Sequence, residues 1–272
     1  MTGTGGSPAS TLRACTWNQD GWNRGREAER AALLQELGVD LLCAQELSHS
    51  RFKVLLAALG DGWWGVFSLT ARDGLPKPSS FWGVAVYGRS DAVTCEGEAD
   101  VIGDLDDPSG PASLFWRRGV AVPVSTAGVG TLTVASVHVR PGAVVGKQKL
   151  EYVTRLGTWM ATAPRPLVLG VDANGPGVQP DGSEGFWDVE EAVWGPAAAH
   201  GLADTWRSTK QPFSPTHVLK GGKGVRFDHV WVSRELEASS HKHLLDEAKA
   251  VGSDHALVIA DLRSAGGGTS AG

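Results

Sequence analysis

Short apolar runs rich in β-branched residues alternate with segments of helical period along most of this 272-residue chain. Residues 12–17 have the length and composition of a buried strand. Residues 24–37 follow with Ala28, Ala31, Ala32, Leu34 and Leu37 near helical spacing, and Gly38 marks the stop. Residues 39–44 predict a second strand and 50–59 a second helix. Further strands are predicted at 83–87, 119–124, 131–139, 166–171, 225–232 and 256–262, with helices at 147–161 and 184–193. The turn residues around 128–130 join two strands with no helix between them, a hairpin signal. Continuously apolar strands mixed with hairpins and helices predict mixed sheets covered by helices, not an all-parallel barrel.

Composition bounds this α/β reading. At 272 residues and 42% apolar content the chain can bury a large core. It shows no internal linker and no short repeat, so the expected organisation is one domain over residues 11–263. The Gly-, Ser- and Thr-rich segments 1–10 and 264–272 are expected to be flexible, because such residues bury too little area to order them. Eleven tryptophans read chiefly as core packing. Cys15 and Cys43 lie in apolar runs, and with Cys95 they make an odd count, so the cysteines read as reduced small residues and not as a disulfide framework. The N-terminus lacks a basic region followed by an apolar one, and no apolar run approaches the ~20 residues of a membrane span. A cytoplasmic monomer is the expected state.

The formal charge of −5 argues against a general nucleic-acid coat protein, yet the acids are unevenly spread. Residues 108–150 contain no acid but carry Arg117, Arg118, Arg140, Lys147 and Lys149. Residues 205–227 again contain none, with Arg207, Lys210, Lys220, Lys223 and Arg226. Such surfaces attract a phosphate-bearing substrate. The alternative is a solvated face paired with the six acids of residues 96–107.

Polar islands sit beside the predicted strands: Asn18 and Asp20, Gln45 and Glu46, Asp172 and Asn174, Asp228, and the tetrad Gly252-Ser253-Asp254-His255. Strand ends that share a rim bring distant residues together. Hard oxygen donors of this kind suit Mg²⁺ or Mn²⁺. Cysteine and histidine pairs at zinc spacing are absent, as is a phosphate-binding loop of the Gly-x-x-x-x-Gly-Lys-Ser/Thr type.

Thr16-Trp17-Asn18-Gln19-Asp20-Gly21, Leu42-Cys43-Ala44-Gln45-Glu46, Asp172-Ala173-Asn174, Arg226-Phe227-Asp228 and the Gly252–His255 tetrad stand in the order and spacing of the endonuclease/exonuclease/phosphatase family. The chain resembles exonuclease III-like AP endonucleases and pancreatic-type deoxyribonucleases from Leu12 to Leu262. The resemblance implies a four-layer α/β sandwich, two mixed sheets packed face to face between helices, and metal-dependent hydrolysis of phosphate esters. It implies Glu46 as principal metal ligand with Asn18, Asp20 and Asp254 assisting. Asp172 is implied as the group handling the attacking water, with Asn174 holding water or a phosphate oxygen. His255 is similar to the family's phosphate-contacting histidine, and Asp228 to the carboxylate that fixes its ring. His138 resembles the second histidine of the deoxyribonuclease branch, an acid for the leaving oxygen. His217, in a basic loop, and His229, sent to the opposite face by strand alternation, stand outside this set.

Two departures bear on substrate. Val225 stands where many AP endonucleases have tryptophan, and Val171 directly precedes Asp172, where the family usually reads Gly-Asp-x-Asn. Three readings therefore stand: a metal-dependent nuclease acting on DNA or RNA, a small-molecule or lipid-head-group phosphatase or phosphodiesterase of the same fold, and a binding module that has lost catalysis.

Overall fold

Strands that are apolar on both faces need cover on both, and the computed structural model supplies it. The structure describes residues 11–20, 23–68, 82–102, 118–139, 142–175, 188–195 and 197–266. In chain order the strands are β1 (Leu12–Asn18), β2 (Leu41–Leu47), β3 (Trp63–Phe67), β4 (Gly83–Arg89), β5 (Val93–Cys95), β6 (Asp100–Val101), β7 (Gly119–Thr126), β8 (Gly130–His138), β9 (Leu167–Asp172), β10 (Leu202–Asp204), β11 (His217–Val218), β12 (Gly224–Val225), β13 (Asp228–Ser233), β14 (Leu236–Leu244) and β15 (Leu257–Ser264). The helices are α1 (Glu27–Glu36), α2 (His49–Leu59), α3 (Gly142–Thr162), α4 (Asp188–Trp194), α5 (Thr205–Ser208) and α6 (Leu245–Ala250).

Six strands form one sheet in the order β14-β15-β1-β2-β4-β3, and seven form the other in the order β10-β13-β9-β8-β7-β5, with β6 also on β7. Alternation along each strand divides its side chains between two apolar layers. Leu12, Ala14, Leu41 and Cys43 of the first sheet meet Val120, Val134, Val168 and Val230 of the second. The intervening Cys15, Trp17, Leu42 and Ala44 pack under Leu34 of α1 and Leu55 of α2. On the outer face of the second sheet, Val137, Leu169 and Val171 pack under Leu156 and Met160 of α3 and Trp194 of α4. The result is the expected four-layer sandwich of helix, sheet, sheet and helix.

Near one rim the two sheets approach closely at Gly170, where an added Cβ would lie 2.4 Å from Cys43 Cβ and 2.9 Å from Thr16 Cβ. Only glycine fits that approach. β1 runs parallel to β2, and β8 parallel to β9, whereas β15 is antiparallel to β1 and β13 antiparallel to β9. The C-terminal ends of β1, β2, β8 and β9 and the N-terminal ends of β13 and β15 therefore share that rim. No helix among the described residues is long and apolar enough to cross a membrane.

Several boundaries differ from the sequence reading. α1 starts at Glu27 instead of residue 24, because Gly25 at φ +84° cannot open a helix. The expected strand 225–232 is two elements: Val225 pairs with His217 in a separate ribbon, and β13 begins only at Asp228. β3 and β14 have no counterpart among the predicted strands. β14 is an edge strand with the polar run Ser239-Ser240-His241-Lys242-His243; its one strand partner is β15, so little of its surface has to be apolar. Of the helix expected at 184–193, residues 184–187 lie outside the described residues. β15 carries the chain to Ser264, one residue past the expected domain boundary. All three cysteines are free, with Cys15 and Cys43 buried.

Candidate active site

Glu46 reaches the rim through a break in β2. Cys43 and the Gln45 amide face the second sheet, whereas Leu42 and Ala44 face the helices. Strict alternation would send residue 46 to the helices too. Instead the register with β4 shifts between Ala44 and Leu47, and Glu46 adopts left-handed backbone at φ 57°. The bulge inserts Glu46 as an extra residue, Leu47 resumes the helix-facing layer, and the Glu46 carboxylate comes 3.5 Å from His138 Nε2. Left-handed backbone at a non-glycine residue costs roughly 1–3 kcal/mol and persists where the surroundings fix it.

Asp172 is the hub. Ending β9, it is the register partner of His138 on β8 and of Asp228 on β13. Its Oδ2 accepts from Asn18 Nδ2 at 2.7 Å and Asn174 Nδ2 at 3.1 Å, and its Oδ1 accepts from the Asn174 N–H at 2.9 Å. His138 Nε2 is 3.5 Å from Asp172 Oδ2. The side chain is fully buried, and this burial, with the charge of Asp228, pushes the carboxyl up to about 7 against the opposing pull of His255.

Arg118 Nη1 lies 2.8 Å from His138 Nδ1. A guanidinium only donates, so Nδ1 is the acceptor in that contact, while Nε2 faces Glu46 and Asp172 and also lies 3.0 Å from Asn174 Nδ2.

His255 Nδ1 is 2.9 Å from Asp228 Oδ2. Burial opposes protonation of this ring, but Asp228 and then Asp172 outweigh it and lift its pKa to about 10. Asp228 is held in turn by its N–H, which donates to Thr216 Oγ1 at 3.1 Å. The loop before His255 is fixed by Ser253 Oγ, which donates to the Asn18 carbonyl at 2.8 Å, and by Arg30, which donates to the Gly252 carbonyl at 2.8 Å.

The remaining predicted residues lie at the edges. Asp20 follows Asn18 with left-handed backbone at φ 42°, its N–H donating to Asn18 Oδ1 at 3.0 Å. The Asp254 carboxylate, 60% exposed, turns to His217, with Oδ2 3.8 Å from His217 Nδ1. His217 itself lies against His255, the rings tilted by 33° with centroids 4.5 Å apart, a placement that a basic loop in the sequence did not signal. Arg118, read in the sequence only as one of a basic run, likewise gains its place beside His138 from the fold. His229 does point away, stacking on Trp194 and lying 3.7 Å from Asp204.

Three of the basic residues expected to face substrate do not present a free charge to it. Lys149 is buried 2.5 Å from Glu190 Oε1, Arg226 is buried 2.5 Å from Asp204 Oδ2, and Arg207 bonds the Trp194 carbonyl. A cation in an apolar layer needs a fixed counter-charge, and these acids supply it. Arg117 and Arg140 lie outside the described residues. Lys210, Lys220 and Lys223 are exposed.

Ligand atoms of Glu46, His138 and Asp172 lie within 4.8 Å of one another, and Asp172, Asp228 and His255 form an adjoining group. Two carboxylates with the Asn18 amide beside them make a hard-oxygen donor set that fits a divalent cation. The raised Asp172 carboxyl marks buried negative charge that such an ion would neutralise.

No curated protein matches the sequence. Solved structures similar to the chain include D. rerio TDP2 complexed with a single-strand DNA product, at 17% identity and a TM-score of 0.69, covering 94% of this chain and 100% of that one. An endonuclease/exonuclease/phosphatase from Bacteroides vulgatus is 16% identical with a TM-score of 0.70, covering 94% and 100%. A mannosyl-6-phosphatase from Bacteroides thetaiotaomicron is 16% identical with a TM-score of 0.66, covering 92% and 99%. At these identities the likeness is one of fold. The model of the Endonuclease/Exonuclease/phosphatase family matches residues 15–255, from β1 through His255. With that match spanning every polar island of the rim, the chain belongs to the Endonuclease/Exonuclease/phosphatase family of phosphoester hydrolases.

Proposed function

We propose that the protein is a Mg²⁺- or Mn²⁺-dependent phosphodiesterase whose substrate is nucleic acid. The observation that carries the chemistry is the convergence on Asp172 of two amides, the Glu46–His138 pair and the His255–Asp228 pair. Glu46, with Asn18 and Asp20 at the mouth of β1, would hold the ion, and Asp254, turned to His217, contributes through water. When bound, the ion would offset charge on the phosphoryl oxygens and make nearby water more acidic.

Asp172, kept basic enough by burial and oriented by Asn18 and Asn174, takes the proton of the attacking water. Asn174 holds that water or a phosphate oxygen. His255 stays protonated through neutral pH and offers its free Nε2–H to a phosphoryl oxygen as charge builds there. His138, its Nδ1 engaged by Arg118, would orient the leaving oxygen from its Nε2 side, and that oxygen takes its proton from solvent.

The surface beside His255 favours a polymeric substrate. The β11–β12 ribbon bridges to His255 through His217, and its turn exposes Leu219, Lys220 and Lys223. Two lysines in a stretch without acids suit a chain with one phosphate per nucleotide. The likeness in fold to TDP2 with its DNA product supports this substrate, and the likeness to the mannosyl-6-phosphatase makes a small phosphoester the competing one.

The test is a panel of single-stranded DNA, duplex DNA, RNA, an aryl phosphodiester and a sugar phosphate, each with Mg²⁺, Mn²⁺ or EDTA. Metal-dependent cleavage of an oligonucleotide is expected. The double variant Lys220→Gln/Lys223→Gln should raise KM for it and lower its log–log salt slope by roughly 1.4, while sparing the aryl ester. Turnover of the small esters alone would overturn the nuclease assignment.

A further inference from the structure

Besides Glu46, two residues at the rim, Asp20 and Asn174, hold left-handed backbone without being glycine, at φ 42° and 44°. Their carbonyl oxygens are treated alike. Each accepts a hydrogen bond from a buried cation that is itself paired with a buried glutamate.

Arg51 of α2, 5% exposed, donates Nη1 to the Asp20 carbonyl at 3.0 Å and Nη2 to the Gln19 carbonyl at 3.1 Å. Its Nε donates to Glu27 Oε1 of α1 at 2.9 Å. Lys149 of α3, 2% exposed, donates Nζ to the Asn174 carbonyl at 2.8 Å and lies 2.5 Å from Glu190 Oε1 of α4. Both outer helix layers thus send a charged group inward to a corner of the rim. A buried ion pair by itself is a weak source of stability, so the destination of its spare donors is the informative feature. Here donors of both pairs end on the carbonyls of two rim residues that hold left-handed backbone, Asp20 and Asn174. The chain after Asn174 is fitted to the same pair, since a Cβ on Gly175 would sit 3.2 Å from Glu190 Oε1.

We propose that Arg51 and Lys149 are positioning residues that clamp these carbonyls and so fix the 18–20 and 172–174 corners against each other. The inference rests on the phosphoesterase reading of those corners. With its backbone held, Asn174 Nδ2 reaches Asp172 Oδ2 at 3.1 Å and the Val139 carbonyl at 2.9 Å, and lies 3.0 Å from His138 Nε2. Released into right-handed backbone, the same side chain turns away from all three. At the other corner the Asp20 N–H orients Asn18 Oδ1, and Asn18 Nδ2 in turn orients Asp172.

The full-length double variant Lys149→Met/Glu190→Gln removes both charges without leaving one orphaned. Its kcat with Mg²⁺, on whichever ester the wild type turns over, should fall at least tenfold while KM stays within twofold. In the metal-free protein, the side-chain NH₂ resonances of Asn174 should move toward free-amide positions. Lys149→Arg, which keeps a charged donor, should recover most of the kcat. Arg51→Lys keeps the charge but cannot reach both carbonyls and Glu27 together, so it should lower kcat with a near-native melting temperature. If the double variant does not fold, unchanged kcat in Arg51→Lys overturns the inference in its place. As a control, Asp40→Asn/Arg89→Gln removes a pair linked at 2.6 Å beside the start of β2, and should lower the melting temperature without changing kcat. A folded double variant with kcat within twofold of wild type, or an unmoved Asn174 amide, overturns the inference. Asn174→Ala separates the two levels: full activity in that variant removes the catalytic reading of the corner, whereas an inactive Asn174→Ala beside an active double variant removes only the clamp.

Discussion

Asp172 and Asp228 face each other as register partners across β9 and β13, both fully buried, and the imidazole of His255 is joined to the second of them at 2.9 Å. Two carboxylates so placed repel each other in a weakly screening interior. The charge on His255 is what makes the pair tolerable, which also explains why that ring holds its proton so firmly.

Asp228→Asn should therefore release the His255 proton. NMR titration of the ring is expected to show its pKa dropping from about 10 toward the ordinary histidine range. Turnover at pH 8 should fall by roughly 10²–10³, the usual loss when a donor to developing charge is removed. A ring that still titrates above 9 would detach His255 from Asp228.

Asp172→Asn keeps the shape of the hub and should abolish turnover without unfolding the protein. The same residue sets a pH dependence of stability. Its folded pKa, about 7, stands above the ordinary aspartate value of 3.8, so its contribution to folding is fully present below pH 4 and is lost as pH rises through 7. A bound cation relieves that loss. Mg²⁺ should thus raise the melting temperature by about 5 °C at pH 8 and by little at pH 5, a contrast absent in Asp172→Asn. Equal shifts at both pH values would exclude Asp172 from the ion's neighbourhood.

Glu46→Gln retains the bulge and removes one charge from the proposed ligand set. The Mg²⁺ concentration for half-maximal activity should rise at least tenfold, on the order of one ligand charge. Calorimetric titration of Mg²⁺ onto the protein without substrate should weaken in parallel. An unchanged titration would move the ion elsewhere on the rim.

A second histidine group lies beneath β14 and β13. Burial holds His241 down to about 3, and His229 and His243 down to about 4. Groups with depressed folded pKa bind fewer protons than the unfolded chain below pH 6.5, so their neutral packing loses stability as pH falls from 6.5 toward 4. The loss is about 2 kcal/mol per imidazole at pH 5. Urea midpoints should drop steeply between pH 7 and pH 5, and His243→Gln should flatten that limb. A midpoint constant over this range would mean that the folded state binds as many protons as the unfolded chain and that the rings are not held neutral.

The apolar runs of β1, β2, β4, β7, β8 and β9 were legible because a strand covered on both faces is apolar at nearly every position. The polar residues that end those runs stood out for the same reason. β14 carries no such signal because an edge strand needs no apolar run. Lys149 and Arg226 read as substrate-facing charges because a basic residue looks the same in sequence whether water or a buried acid meets it. His217 has no local mark at all; its place depends on a bridge to His255, far along the chain.

By itself, the sequence determined which residues were available: alternation and turn chemistry are local, and they put acids, amides and imidazoles at strand ends. Only the tertiary structure decided which of them meet. That outcome depends on register between strands distant in the chain, on the close approach of the sheets at Gly170, and on the extra residue in β2 that turns Glu46 toward His138. These are long-range steric conditions, which no window of neighbouring residues encodes.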